Sequence, residues 1–391
     1  MIKYQKASIE NVDVAGKVIL LRVDFNVPMS NQLITDDSRI VASLPTIRDL
    51  LGRDAKRVVI LSHLGRPEGA EEALSLKPVR ERLEGLLGLP VGFDEPTEAF
   101  SRQDQVVLCE NLRFWPGEEA NDSDFTQTIV SATGADLFVQ DGFSVCHRTT
   151  ATTEAITRLL PGYASAVLIK EYEAINKFIE DVPRPLVAIL GGAKISDKIA
   201  FVKRMVQLAD QVFVGGALGT TFLRASGKPV GASLVEYDQE AAVEEINQLV
   251  TTERKALFLP TDVKVAPDEL AGSSENKLVD SVLGVDKILD IGDSTAMILG
   301  QLVANAGSII WNGPLGYTEN PTFEDGSEVI VRSLSASSKP ALIGGGDTLA
   351  FVKREQPNLK YDGLVLSTGG GAMLELLGSG RLVGVDCLLD A

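Results

Sequence analysis

The sequence predicts an α/β protein whose parallel sheets are covered by helices on both faces. Short, almost continuously apolar runs alternate with helix-length amphipathic stretches along the chain, which is typical of buried parallel strands and their crossover helices. Most glycine-rich and basic motifs directly follow a predicted strand. The 391 residues, of which 45% are hydrophobic, are enough for two domains with sizeable cores.

The strands follow one another at regular intervals. In the first half we predict strands at 18–23, 57–61, 106–108 and 137–139, with helices at 39–51 and 78–87. In the second half we predict strands at 186–190, 211–214, 256–259, 287–291, 308–311, 340–343 and 364–366. Ligands of parallel sheets bind at the carboxyl ends of strands, so the motifs that follow these runs predict ligand sites.

A domain boundary is predicted at residues 170–185. Residues 170–181 have the pattern of one exposed helix, and the prolines at 183 and 185 end it. We therefore expect an N-terminal domain over residues 1–169, a connecting helix and hinge over 170–185, and a C-terminal domain over 186–375.

The composition excludes several classes of partner. The net charge of −17 argues against nucleic-acid binding, which needs a broad basic surface. Cys109, Cys146 and Cys387 are too widely spaced for a disulfide framework or a CxxC metal motif, and we expect reduced thiols. The sequence lacks an N-terminal apolar signal segment and any apolar run of membrane-spanning length. We therefore expect a cytoplasmic protein.

Three glycine-rich turns in the second half predict phosphate binding. In 191–198 (GGAKISDK), Lys194 and Lys198 lie at the start of a helix predicted over 198–208, with its N-cap at 196–197. Cations there oppose the helix dipole unless an anion is bound. The alternative is a solvated turn with incidental lysines.

The other two turns, 344–348 (GGGDT) and 367–371 (STGGG), repeat the strand–glycine–helix pattern. Glycine lets the backbone approach a phosphate closely. Asp347 is a candidate ligand for Mg²⁺ carried by nucleotide phosphates, and its alternative role is a helix N-cap. Glu319, just beyond the turn 311–316 (WNGPLG), would by itself be taken for a surface residue.

The first half carries basic motifs at four strand ends: 22–28 (RVDFNVP), 62–67 (SHLGRP), 110–114 (ENLRF) and 146–148 (CHR). Arg39 opens a helix after a polar loop. A single arginine is usually a surface charge, but four strand ends that deliver Arg or His to one sheet edge predict an anion site. Guanidinium groups suit bidentate binding of carboxylate and phosphate. His63 and His147 have no partners at metal-ligand spacing, so we expect no metal there.

Together these motifs resemble the phosphoglycerate kinase family, in family order and over essentially the full length. The resembling segments are 22–28, 62–67, 110–114, 191–198, 311–316, 344–348 and 367–371. The resemblance implies two Rossmann-like three-layer α/β/α domains with parallel sheets, joined by a helix and separated by a cleft. It also implies that residues 376–391 pack back on the N-terminal domain and that the protein is a monomer.

The resemblance further implies a reaction, the reversible transfer of a phosphoryl group from 1,3-bisphosphoglycerate to Mg-ADP, giving 3-phosphoglycerate and ATP in glycolysis. The implied catalytic residues are Arg39, Lys194 and Lys198. The implied phosphoglycerate site comprises Asp24, Phe25, Asn26, Arg39, His63, Leu64, Gly65, Arg66, Arg113 and Arg148. The implied nucleotide site comprises Lys198, Glu319, Gly345, Gly346, Asp347 and Thr348, with Asp347 as the Mg²⁺ ligand beside the phosphates.

Several positions depart from the family pattern, and we expect them at the patch rim and on nucleotide-pocket walls. Thr150 replaces a histidine of the basic patch, Ser144 replaces a glycine, Ala217 and Leu218 replace a glycine and a methionine, and Asp293 and Ser294 replace a Pro-Lys pair. They motivate an alternative, a catalytically silent protein that binds nucleotide or phosphoglycerate on the same fold. An NAD-dependent dehydrogenase would share the α/β alternation, but the chain has no GxGxxG turn.

Overall fold

The structure is a computed structural model that describes residues 5–98, 104–180, 182–192, 196 and 198–391. The chain divides into two compact units. The first comprises Met1–Ala174 with Arg381–Ala391, and the second comprises Ile175–Gly380. Each unit has its own hydrophobic core and a mostly parallel sheet. The predicted α/β class is confirmed.

The first unit is built on a parallel sheet. Its strands are β1 (Val18–Arg22), β2 (Met29–Ser30), β3 (Leu33–Ile34), β4 (Arg57–Leu61), β5 (Val91–Asp94), β6 (Val106–Cys109), β7 (Leu137–Gln140) and β8 (Gly162–Ala164). The order across the sheet is β5-β6-β4-β1-β7-β8, and β2 and β3 form a separate hairpin. All five residues of the central strand β1 are buried, as expected for a strand covered on both faces.

The helices of this unit are α1 (Ser38–Gly52), α2 (Lys77–Leu87), α3 (Pro116–Glu119) and α4 (Ser123–Thr133), and α5 (Ala166–Glu180) begins in the first unit and ends in the second. The N-cap of α4 is Asp122, whose carboxylate accepts hydrogen bonds from the N–H groups of Asp124 (2.7 Å) and Phe125 (3.0 Å). The helix ends at Gly134, whose φ of 62° is in the left-handed region that favours glycine. Local sequence signals therefore set the limits of α4.

Helix α5 begins at Ala166, before the predicted start at residue 170. The earlier start has a local cause, because the Ser165 hydroxyl accepts the N–H of Leu168 at 3.1 Å and so acts as an N-cap. Leu168 is fully buried, which anchors this first turn in the core. The charged residues later in the segment indicated an exposed helix that starts at 170, but Tyr172 and Ile175 are buried, so the predicted exposure is wrong in part.

The second unit contains the longer series of strands. They are β9 (Leu186–Leu190), β10 (Gln211–Val214), β11 (Ala256–Phe258), β12 (Asp262–Ala266), β13 (Glu275–Leu278), β14 (Lys287–Ile291), β15 (Ser308–Asn312), β16 (Ala341–Gly344) and β17 (Leu364–Ser367). A parallel sheet has the order β11-β10-β9-β15-β16-β17. Trp311 of β15 is fully buried and meets Phe351 edge-on at a ring separation of 6.4 Å.

The helices of the second unit are α6 (Ile199–Leu208), α7 (Gly216–Ala225), α8 (Glu240–Thr252), α9 (Asp293–Asn305), α10 (Asp325–Ser337), α11 (Gly346–Glu355) and α12 (Gly370–Ser379). A last helix, α13 (Val383–Asp386), belongs to the first unit. There the N–H of Gly384 donates to the carbonyl of Cys146 at 2.8 Å. Within the described residues, no helix is both long and apolar enough to cross a bilayer.

Two expectations about the second unit are wrong in detail. The strand predicted at 287–291 exists as β14, but it belongs to a small antiparallel sheet of order β13-β12-β14. Strand β13 is mostly exposed, and an antiparallel sheet tolerates one solvated face. Helix α6 begins at Ile199 with Lys198 at its N-cap and no side-chain cap. Ser196 is not that cap, and its N–H and hydroxyl both donate to Glu236; Asp197 lies outside the described residues.

Candidate functional site

Asp24 is a focal point of the first unit, just beyond the end of β1. Arg39, in the first turn of α1, forms an ion pair with it, Nη1 to Oδ2 at 2.6 Å. The N–H of Asn26 donates to Asp24 Oδ1 at 3.0 Å, and the Ser144 hydroxyl donates to Oδ2. Burial alone would raise the pKa of Asp24, but His63, Arg39 and these hydrogen bonds lower it to about 2. Asp24 is therefore an ionised acceptor.

The turn after β4 is tied to the same place. The side-chain oxygen of Asn26 accepts the N–H of Gly65 at 2.9 Å, and Asn111 accepts the N–H of Leu64 at 3.1 Å. The side chains of Phe25 and Leu64 are buried in the core. Of the predicted substrate residues, these two therefore contribute packing and main-chain position rather than side-chain contacts with a ligand.

Two predicted arginines, Arg113 and Arg148, lie around one acid, and the charge of a third, Arg66, acts on Arg148. Arg113 donates from Nη1 to the carbonyl of Gly65 at 2.5 Å and pairs through Nε with Glu119 at 2.6 Å. Arg148 Nη1 lies 3.9 Å from the other oxygen of Glu119. Burial, then the positive charges of Arg113 and Arg66, lower the pKa of Arg148. The structure thus brings the predicted basic patch together with an excess of positive charge.

His63 is buried beside these cations, with Nδ1 3.5 Å from Arg22 Nη2. Its pKa falls to about 3 because burial and the charges of Arg22, Arg113 and Arg148 outweigh the attraction of Asp24. The imidazole is neutral near pH 7. His63 therefore adds no charge to the patch, and the arginines supply it.

A buried polar network supports the patch from below. Arg22 and Glu118, each only 1–3% exposed, lie 3.8 Å apart. Glu118 accepts the Thr150 hydroxyl at 3.0 Å, which lies 2.9 Å from the Thr153 hydroxyl. Thr153 in turn bonds to the carbonyl of Arg148 at 2.7 Å. Thr150 was expected at the patch rim, but at 5% exposure it lies in this network beneath the patch.

In the second unit, Lys198 joins the ends of two neighbouring strands. Its Nζ donates to the carbonyl of Gly191 at 2.7 Å and to the side-chain oxygen of Asn312 at 2.9 Å. Asn312 donates in turn to the carbonyl of Gly344 at 2.9 Å. Sequence reasoning missed Asn312, although a polar residue at the end of a buried strand was a usable signal. Lys194, the other predicted lysine, lies outside the described residues.

The turn after β16 needs glycine at one position. Gly345 has a φ of 101°, and a Cβ there would lie 3.2 Å from Asn312 Nδ2 and 3.3 Å from Thr348 Oγ1. The Thr348 hydroxyl is buried and accepts the N–H of Gly313 at 2.8 Å. Helix α11 begins at Gly346. The first N–H groups of a helix lack intrahelical partners, so this turn presents main-chain donors suited to an anion.

A cavity of about 250 Å³ lies beside these turns. Its walls are mostly apolar and include Ala217, Leu223, Pro260, Val263, Ile288 and Leu315. Two predicted nucleotide residues, Glu319 and Asp347, also line it. An apolar pocket with a few polar groups at its edge suits a nucleobase and sugar next to a phosphate-binding turn.

The departures from the family pattern fall in different places around this cavity. Ala217 lines it, as expected. Leu218 does not, because it is fully buried in α7. Asp293 and Ser294 also lie off the cavity wall, at the start of α9, where their N–H groups donate to Asn276 and Asp262.

Asp347 fits a magnesium ion that arrives with its nucleotide. It lies in the first turn of α11 and faces the cavity. Within the described residues, no group of three or more His, Cys, Asp or Glu side chains is arranged to hold a metal unaided. Mg²⁺ commonly takes one or two carboxylates and completes its shell with phosphate oxygens and water, so a single carboxylate at this position is sufficient.

Asp290 is a buried acid on the cavity wall that sequence reasoning did not assign to the site. Burial raises its pKa to about 7, although the N–H groups of Gly326 and Ile291 and the charge of Lys264 act in the opposite direction. Its carboxyl group therefore changes charge near neutral pH.

Comparison with known proteins agrees with this geometry. A family model described as phosphoglycerate kinase matches residues 9–380. A phosphoglycerate kinase of Moorella thermoacetica is 39% identical over 98% of this chain and 99% of its own length. That of Nostoc punctiforme is 40% identical over the full length of both.

Solved structures give the same result. Phosphoglycerate kinase from Coxiella burnetii superposes with a TM-score of 0.80 at 35% identity, covering 98% of both chains. The crystal structure of the enzyme from Pyrococcus horikoshii OT3 gives a TM-score of 0.83 at 26% identity, with the same coverage. With its fold, its glycine turns and its arginine patch in place, this chain belongs to the phosphoglycerate kinase family.

Proposed function

We propose that this chain catalyses the reversible transfer of a phosphoryl group from 1,3-bisphosphoglycerate to Mg-ADP, giving 3-phosphoglycerate and ATP in glycolysis. The observation that carries the proposal is the family match over nearly the whole chain. The two sites support it, since one unit offers a basic patch for a small acid and the other a glycine turn beside a cavity.

Phosphoryl transfer between these substrates requires that the reacting groups be positioned and that positive charge surround them. It does not require a general base. In the reverse direction, a carboxylate attacks the phosphoryl group, and carboxylates with ordinary pKa values are already ionised at neutral pH. The charge of the transition state lies on the equatorial phosphoryl oxygens. We propose that Arg39, Lys194 and Lys198 surround those oxygens, with Lys198 starting from its contacts at Gly191 and Asn312.

In the first unit, we propose that Asp24 accepts a hydrogen bond from the glycerate hydroxyl. His63, Arg66, Arg113 and Arg148 would hold the phosphate that is not transferred. Arg113 and Arg148 already share Glu119, which restricts their motion and leaves the set of charges positive. Arginine is favoured here because its planar fork matches phosphate oxygens.

In the second unit, Gly345, Gly346 and Thr348 would hold the nucleotide phosphates through the main-chain donors at the start of α11. Glu319 would contact the ribose, and Asp347 would ligate Mg²⁺. When bound, Mg²⁺ neutralises charge on the phosphate oxygens. The protein's part is to orient the nucleotide and to exclude water from a reactive acyl phosphate.

The two substrates must meet for transfer to occur. We propose that residues 170–185, which include the end of α5 and the prolines after it, act as the hinge of a closing motion. We also propose that the enzyme works as a monomer in the cytoplasm. Solution scattering with and without both substrates tests the hinge, and an unchanged profile would count against it.

The experiment that tests the function measures ATP formation from 1,3-bisphosphoglycerate and Mg-ADP by the wild type, Arg39→Met and Arg48→Met. Arg39→Met should lower kcat about 1,000-fold or more, as loss of a phosphoryl-stabilising arginine does elsewhere, and leave Mg-ADP binding intact. Arg48 is exposed on the same helix, where its Nη2 donates to the carbonyl of Leu86, so its variant should stay within about twofold.

A folded wild type that forms no ATP would overturn the proposal and favour the silent binding protein. Full activity of Arg39→Met would remove Arg39 from the reaction. The structure itself offers no observation that favours the silent reading, because Thr150 is engaged in a supporting network rather than at the ligand surface.

A further inference from the structure

Three donors converge on the carboxylate of Asp24, and two of them share one oxygen. Oδ1 accepts the N–H of Asn26 at 3.0 Å. Oδ2 accepts both Arg39 Nη1, at 2.6 Å, and the Ser144 hydroxyl. An ionised carboxylate has about four acceptor positions, so this group has one position left while Arg39 stays in place.

The Ser144 hydroxyl is held towards Asp24 by the loop that carries it. Ser144 lies in a short turn of 3₁₀ helix, Phe143–Val145, whose flanking side chains are buried. Gly142, just before it, donates its N–H to the carbonyl of Arg22 at 2.9 Å. A Cβ on Gly142 would lie only 3.1 Å from the main-chain carbon of Val23, so the loop is packed directly against the backbone that leads into Asp24.

Ser144 itself is not part of the core. It is partly exposed, while both of its neighbours are buried. The contact with Asp24 is therefore made by the hydroxyl of a partly exposed residue and is not part of the packed core.

We infer that Ser144 is a positioning residue that holds the Asp24 carboxylate in a fixed orientation when Arg39 leaves it. The inference rests on the proposed function, in which Arg39 moves to the phosphoryl group and Asp24 takes the glycerate hydroxyl. Departure of Arg39 frees a position on Oδ2. Ser144 on Oδ2 and the Asn26 N–H on Oδ1 then prevent rotation of the carboxylate, so the freed position faces the substrate hydroxyl.

The test compares two ligands that differ by one hydroxyl. Calorimetry measures the binding of 3-phosphoglycerate, and of 3-phosphooxypropionate, which lacks the C2 hydroxyl, to the wild type, Ser144→Ala and Ser144→Thr. Each protein is first saturated with a non-hydrolysable Mg-ATP analogue, so that a phosphoryl group is present for Arg39. Ser144→Ala should weaken 3-phosphoglycerate about 3- to 10-fold, the usual worth of one hydrogen bond. Its affinity for the deoxy analogue should stay within about twofold, and Ser144→Thr should restore wild-type binding of both.

The matched control is Ser131→Ala, which removes an exposed serine on α4 of the same unit and should change neither affinity. Equal weakening of both ligands by Ser144→Ala would assign Ser144 a merely structural role and overturn the inference. So would unchanged binding of 3-phosphoglycerate. A wild type that binds no 3-phosphoglycerate overturns the proposed function first, and the inference with it, so the two failures are distinguishable.

Discussion

The candidate sites of the two units consist of different chemical groups, although both sites follow the ends of parallel strands. In the first unit the site consists of charged side chains, with Arg113 and Arg148 around Glu119 and Arg39 on Asp24. In the second it consists mainly of main-chain groups at glycine turns and of an apolar cavity.

The two sites also differ in the buried residues that must support them. Clustered guanidinium groups repel one another and lose hydration, so they need a buried counter-charge and fixed neighbours. Arg22, Glu118 and the threonines supply these in the first unit. A glycine turn needs only space where a Cβ would be. We therefore expect the first site to be most sensitive to substitutions that change charge, and the second to substitutions that add side-chain atoms to a turn.

Glu118→Ala gives the largest expected effect. It leaves Arg22 buried without its counter-charge, and breaking a buried pair in this way typically costs about 3–5 kcal/mol. We expect the first unit to unfold at much lower urea concentration, as measured by circular dichroism. Glu81→Ala, which removes an exposed acid from α2, should change stability by less than about 0.5 kcal/mol. Equal effects of the two variants would show that the network does not support the first unit.

Gly345→Ala tests the second site and should have a smaller effect on stability, together with a loss of binding, because a strained turn relaxes and moves its main-chain donors. The residue's φ of 101° and ψ of 135° are strained for alanine, at about 1–3 kcal/mol. We expect the affinity for Mg-ADP to fall roughly 10-fold or more, with 3-phosphoglycerate binding unchanged, both measured by calorimetry. Gly378→Ala in α12, where a Cβ meets nothing within 4 Å, is the matched control. Loss of 3-phosphoglycerate binding would contradict the separation of the two sites.

The contrast also explains what could be predicted from the sequence. Buried strands appear as apolar runs, and Arg57–Leu61, Leu186–Leu190 and Gln211–Val214 match their predicted limits to the residue. Strands β2, β3, β5, β8, β12 and β13 were missed. Five of them have only two to four residues, and β12 carries two charged residues among its five.

The same limit applies within the sites. Arginines and glycine turns can be predicted from the residue type and from their position directly after a strand. The roles of the supporting residues are less visible, even where the residue type gives a signal, as for Asn312 at a strand end, because these roles depend on partners far away in the sequence. Glu118 acts through Thr150, and Asn312 through Lys198, which is 114 positions away. No local pattern encodes such pairs, and only the folded chain brings them together.

The last expected effect changes the pH dependence of stability, by at most about tenfold per pH unit and with opposite signs in the two units. The pKa of His63 falls from its ordinary value of 6.5 to about 3 on folding. Its contribution to stability is complete above about pH 6.5 and is lost as the pH falls, because only the unfolded chain then takes up the proton. The pKa of Asp290 rises from 3.8 to about 7. Its contribution is complete below about pH 4 and is lost as the pH rises to 7.

Between pH 4.5 and 6.5 the two groups therefore oppose each other, each by at most about a factor of ten in the folding equilibrium constant per pH unit. Urea unfolding across this range should show that His63→Gln makes stability fall more steeply with rising pH than in the wild type. Asp290→Asn should do the reverse. Slopes are compared rather than absolute stabilities, because each variant also loses native hydrogen bonds. If both variants change the slope in the same direction, the two sites do not differ in charge environment as their burial and neighbours indicate.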